Sequence, residues 1–244
     1  MTVGRTEARP EGSKQAVPSR AKRVGPAPGQ PWWVLAAAVL GFGLAAVFSG
    51  VLHLQRDVFL VPYLAAAAAF LEAYRRRNGV RVGEALARHW VGGLVGALVV
   101  GAFVVWSVLE QPASPPPRGA ALLGSIIWLG LAYGTIDGLL LSVLPVAATL
   151  RATESAAWAS RPSGRALAVL LALLASAVVT AAYHLGYPEY RGPGLAGPII
   201  GCGVMSLAYA VTRNPMSAVL AHVAMHVAAV VHGIDSTVQL PPHG

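Results

Sequence analysis

The chain has 244 residues, of which 55% are hydrophobic and 11% charged, and a formal net charge of +8. A water-soluble domain carries roughly 25% charged residues, so this composition excludes an ordinary soluble enzyme and points to a chain that lives in a bilayer. The single cysteine, Cys202, excludes an intrachain disulfide and any zinc-ribbon spacing, and the basic excess is distributed for membrane orientation rather than for nucleic acid.

Residues 1–30 are rich in Pro, Gly, Lys and Arg and show no hydrophobic period, so a disordered basic tail without a cleavable leader is expected. Seven apolar segments follow, at 31–54, 58–74, 90–109, 120–150, 166–185, 195–211 and 215–231. Crossing a ~30 Å hydrocarbon core takes about 20 apolar residues. The expected fold is therefore all-α, a polytopic transmembrane helix bundle of about seven spans over 31–234, with a short external tail at 235–244. The fourth segment is too long for one straight crossing, which predicts tilt or a break near Pro145. No internal repeat is present. Trp32, Trp33, Trp90 and Trp106 fall near span ends, where interfacial aromatics belong.

Lys and Arg alternate in density from side to side. Fifteen of the eighteen lie in the N-terminal tail, in the loops that hold Arg75–Arg88 and Arg151–Arg165, or at Arg213; the other three are Arg56, Arg118 and Arg191. This asymmetry predicts a cytoplasmic N-terminus and an external C-terminus in a bacterial or archaeal cytoplasmic membrane.

An aspartate at mid-bilayer costs about 2.5–3.5 kcal/mol on insertion scales, so ionisable residues inside spans are functional candidates by default. The last four spans hold few. Asp137 sits in "LAYGTIDGLLLSVLP", His184 closes the fifth span, and His222 and His226 lie in "LAHVAMHVAAVVHG". Gly130, Gly134 and Gly138 form a small-residue stripe that lets a neighbouring helix approach closely. Ser176, Thr180 and His184 share one polar stripe. Ala218, His222, His226 and Ala229 share a face, with the two imidazoles about 5–6 Å apart at Cβ. A lone histidine or aspartate in a bundle serves as a helix-to-helix hydrogen bond. Three imidazoles and one carboxylate on three helices predict a shared site. His53, His89, His232 and His243 fall at span ends or in tails and are expected to be interfacial or solvated.

The order of these features, with "AAYHLGYP" in the fifth span, "PIIGCGVMSLAYAVTRNP" in the sixth and "SAVLAHVAMH" in the seventh, resembles the CPBP family of intramembrane proteases, which includes the type II CAAX prenyl endopeptidases. The likeness covers roughly residues 120–233. The family pattern is E-E-x-x-x-R, then F-x-x-x-H, then H-x-x-x-N or D. His184 matches the second-motif histidine, with Thr180 where Phe is usual. His222 matches the third, and His226 takes the place of its Asn or Asp. In the first motif Ile136 and Asp137 stand at the two glutamates and Leu141 at the arginine.

The resemblance implies an endopeptidase acting on a membrane-associated or prenylated peptide, with Asp137, His184, His222 and His226 as its catalytic set. The motif-one carboxylate and His184 would activate water, and His222 and His226 would stabilise the oxyanion. The departures at Ile136 and Leu141 support a second expectation, a catalytically inactive relative that binds a peptide, lipid or metal. Imidazoles and a carboxylate are also zinc ligands, so His184, His222 and His226 carry a zinc expectation beside Asp137. A permease would call for inverted repeats, and none is found. The implied partners are the lipid bilayer and a lipidated peptide, with no nucleic acid. One geometric question stands. His184 ends an outward span while His222 lies early in the next outward one, a depth difference on the order of 10 Å. Tilt, or a re-entrant fold of 184–198 back into the bundle, would close it.

Overall fold

The computed structural model describes Met1 and residues 29–240. The expectation for the basic tail lies outside the described residues, apart from its last two, where Gln30 already begins a helix. The same holds for His243 and the last four residues of the C-terminal tail. The described residues form helices and no strand. In chain order they are α1 (Gln30–Val51), α2 (Arg56–Arg77), the short α3 (Val82–Ala87), α4 (Trp90–Leu109), α5 (Ala120–Thr153), α6 (Pro162–Leu185), α7 (Ala196–Thr212) and α8 (Met216–His232).

Six helices are long and apolar enough to cross a membrane: α1, α2, α4, α5, α6, and α7 with the turn that leads into it. The chain is an all-α integral membrane bundle. Its surface carries large apolar side chains such as Leu98 and Val211, more than 70% exposed, whereas Ser142, Ser176, Ser206, Asn214, Ser217 and His222 are fully buried. A soluble protein distributes these residue types the other way. Trp32, Trp90 and Trp106 are exposed as expected. Trp33 instead turns inward, packed against Phe70 and Tyr74.

The segment expected as a seventh span, α8, has 17 residues and is not among these six; it is about 25 Å long at 1.5 Å per residue. Its hydrogen bonds nevertheless tie it to both ends of α4. At the start, the Asn214 amide donates to the carbonyls of Leu86 and Arg88, at 2.8 and 2.7 Å. At the end, His232 Nε2 donates to the Gln111 carbonyl at 2.8 Å, and Ser114 N–H bonds the His232 carbonyl. The two helices therefore run side by side through the same layer. Further bonds mark the same two ends: Gln30 and Arg151 both reach Asn78 at the first, and Arg56 bonds the Ile234 carbonyl at the second. A shorter helix suffices for α8 because it is enclosed by α4, α5 and α7, with only Leu220 and Val231 exposed along its length.

The long α5 is continuous across Pro145 rather than broken there. It widens into π-turns at Ile126–Tyr133 and Gly138–Val143, the second just ahead of Leu144 and Pro145. A proline lacks the N–H that an α-turn needs and clashes with the carbonyl four residues back; the wider turn accommodates both. α6 opens with Pro162 at its first position, where the missing N–H costs nothing.

Candidate functional site

Along the stretch that holds its two π-turns, α5 presents Gly130, Gly134 and Gly138 to α8. A Cβ at Gly130 would stand 2.7 Å from Val227 Cγ2; one at Gly134, 3.0 Å from the Val223 Cα and 3.1 Å from His226 Cδ2; one at Gly138, 3.1 Å from His222 Cβ. The glycine stripe is thus a groove that receives the imidazole-bearing face of α8. The face expected from spacing is the one observed: Ala218, His222, His226 and Ala229 are all buried.

Asp137, on α5 one residue before Gly138, meets these imidazoles. Its Oδ2 lies 3.5 Å from His226 Nε2 and 3.8 Å from His222 Nδ1. Its Oδ1 accepts a hydrogen bond from the Tyr63 hydroxyl of α2 at 3.0 Å. The three residues are 4%, 0% and 1% exposed for Asp137, His222 and His226, so little solvent screens their charges. His222 Nε2 lies 3.2 Å from the Ser142 hydroxyl, and the Cys202 sulfur is 4.0 Å from the same nitrogen. His222 Nδ1 and both ring nitrogens of His226 have no hydrogen-bond partner. Buried polar atoms are nearly always paired, and here two of these three nitrogens have only the longer contacts to Asp137 Oδ2.

The trio borders a cavity of about 340 Å³. His184 lines the same cavity, so the depth difference anticipated from helix positions does not keep it away. Helix α6 ends at Leu185, and the chain turns back through two short 3-10 turns, Pro188–Tyr190 and Pro193–Leu195, to begin α7. His184 Nδ1–H donates to the Thr180 carbonyl at 2.8 Å, which leaves Nε2 as the ring's free acceptor. The remaining lining is mostly apolar or glycine, including Met205, Met225, Gly197 and Gly201. Phe103 of α4 and Ile200 of α7 line the cavity and are exposed.

The structure adds residues that the spacing of polar groups did not reveal. Tyr63, Tyr133, Tyr183 and Tyr187 cluster beside the trio, with Tyr187 donating to the Tyr183 hydroxyl at 2.6 Å and Tyr183 and Tyr133 paired at 3.0 Å. Tyr133 also packs on the His226 ring, centroids 4.7 Å apart. Val238 and Gln239 line the cavity from the C-terminal segment, whose Val238 carbonyl accepts a hydrogen bond from Tyr190. Burial, with the Glu189 carboxylate nearby, pushes the Tyr190 phenol above its ordinary value and keeps it a donor to that carbonyl. Ser176, the inner member of the expected polar stripe, bonds the Leu141 carbonyl and Ser206 instead of reaching the cavity.

No family model, curated protein or solved structure matches the chain.

Proposed function

We propose that the protein is an intramembrane endopeptidase of the CPBP type that acts on membrane-associated or lipidated peptides. Its N-terminus would be cytoplasmic, in a bacterial or archaeal membrane. The observation that carries this reading is the convergence of Asp137, His184, His222 and His226 on one cavity within the bundle. In the reaction, a water hydrogen-bonded to Asp137 Oδ2 attacks the scissile carbonyl carbon and gives its proton to that carboxylate. An imidazole N–H of His226, and that of His222 in its Nδ1–H tautomer, donate to the oxyanion. Asp137 then passes the proton to the leaving nitrogen as the C–N bond breaks. The free Nε2 of His184 accepts a hydrogen bond from the substrate or the attacking water. Tyr63 holds the Asp137 carboxylate in place through Oδ1.

The apolar residues Ile136 and Leu141 stand where the family has a glutamate and an arginine, and they favour a second reading, a non-catalytic relative that binds a lipidated peptide. One experiment separates the two. Purified protein in liposomes is incubated with a panel of tagged membrane peptides, prenylated and plain, and products are read by mass spectrometry. Cleavage by the wild type is expected, falling about 10²- to 10⁴-fold in Asp137→Asn and in His184→Ala, the range for removing a general acid or base. Binding without cleavage in all three proteins would establish the second reading. Cleavage undiminished in Asp137→Asn would remove that residue from the mechanism.

A further inference from the structure

We propose that Asp137, His222 and His226 form a binding site for a divalent transition-metal cation of the zinc and iron class. The site is that of the hydrolase reading, but the inference stands on metal binding and not on turnover. Oδ2 of Asp137, Nδ1 of His222 and Nε2 of His226 are the converging atoms, and one ligand atom from each residue lies within 4.8 Å of the other two. Tetrahedral zinc with bonds of about 2.0–2.1 Å places its ligand atoms about 3.3 Å apart. The observed 3.5 and 3.8 Å to Oδ2 exceed this by a few tenths of an ångström, and the three ligand atoms lie within 4.8 Å of one another, so the side chains must draw together to close on the ion.

The partners of the other atoms point the same way. Tyr63 already occupies Oδ1, and Ser142 occupies His222 Nε2. If the Nε2 proton is given to Ser142, the Nδ1 lone pair of His222 faces the carboxylate across a gap with no donor between them. Two buried acceptors held face to face repel, and a cation between them removes that cost. A metal-binding imidazole whose second nitrogen is hydrogen-bonded is the usual arrangement, because that bond fixes the tautomer. Two imidazoles and a carboxylate suit zinc and non-haem iron, and three protein ligands leave a coordination position facing the cavity. His184, expected from sequence among the metal ligands, stands on the cavity wall outside this group, and Asp137 takes its place.

The test uses the full chain in detergent, stripped with a chelator and reloaded with Zn²⁺ or Co²⁺. Elemental analysis should find about one zinc per chain, and Co²⁺ should give the intense visible bands of a low-coordinate ion. Asp137→Asn, nearly isosteric, should abolish both while keeping the wild-type thermal midpoint of the metal-free protein; His226→Ala should do the same where it folds. Ser142→Ala should weaken binding about 10- to 100-fold. His184→Ala should retain the metal. Wild type that takes up no zinc and stays colourless with Co²⁺, or Asp137→Asn that binds as tightly as wild type, would overturn the proposal. Peptide cleavage by fully chelated protein would leave the hydrolase reading standing and sink the metal. Metal binding without cleavage would do the reverse.

Discussion

A methyl group at Gly138 would press on both Cβ and Cδ2 of His222, at 3.1 Å each. His222 cannot yield easily, since its ring is held at Ser142 and enclosed by packing. Gly138→Ala is therefore expected to cost about 1–3 kcal/mol as overpacking, more than the ~1 kcal/mol that alanine gains in helix propensity. It should also disturb whatever the imidazole does. Gly124→Ala, in the same helix with nothing within 4 Å of its added methyl, should be neutral or mildly stabilising. Thermal unfolding of both variants in detergent reads the difference, and equal midpoints would mean that the groove has slack. At this scale the sequence exposed the costly residues. Asp137, His222 and His226 stand out because charge and imidazole are expensive in lipid. Tyr63 and Ser142 did not stand out, because tyrosine and serine occur throughout apolar spans. Their partners, moreover, lie 74 and 80 positions away along the chain, a pairing that no local period encodes.

Helix by helix, the spans were legible from apolar length, and α4 begins and ends where expected, at Trp90–Leu109. The π-turns of α5 were not, since a widened turn changes neither composition nor hydropathy. The proline that signals one of them is as consistent with a kink. Asn214 shows how a single polar side chain can set helix placement. It is buried, donates to the Leu86 and Arg88 carbonyls, and accepts the Met216 N–H that opens α8 at 2.8 Å. Gly93 of α4 makes room for it, because a Cβ there would come within 2.7 Å of the Asn214 Cγ. Removing these bonds by Asn214→Ala should lower stability by about 2–3 kcal/mol, at ~1 kcal/mol for each bond. The same change should loosen the start of α8 relative to α4. A thermal midpoint within error of the wild type would show that water replaces all three bonds.

For the molecule as a whole, the hydrogen bonds define two ends, and the arginine distribution is the basis for the proposed orientation of them. Gln30, Asn78, Arg151 and Asn214 mark one end, and Arg56, Gln111 and His232 the other. The proposed orientation puts the first end in the cytoplasm. The lone native thiol, Cys202, is buried, so introduced cysteines can be read against a silent background. Glu154→Cys should label from the cytoplasmic side, and Glu110→Cys and Asp235→Cys from outside. Labelling of Asp235→Cys from the same side as Glu154→Cys would mean that α8 does not cross. The sequence marked 215–231 as a seventh apolar segment from its composition, but the enclosure of this 17-residue helix by α4, α5 and α7 is visible only in the fold.

Phe103 and Ile200 both line the cavity and are exposed, so on the proposed reading a lipidated peptide would approach between α4 and α7, in the plane of the membrane. A ligand that enters between α4 and α7 has already partitioned into lipid, so molarity in the surrounding water does not set its encounter rate. Its mole fraction among the lipids does. Diluting the bilayer with inert lipid then slows encounter even when protein and ligand per millilitre are unchanged.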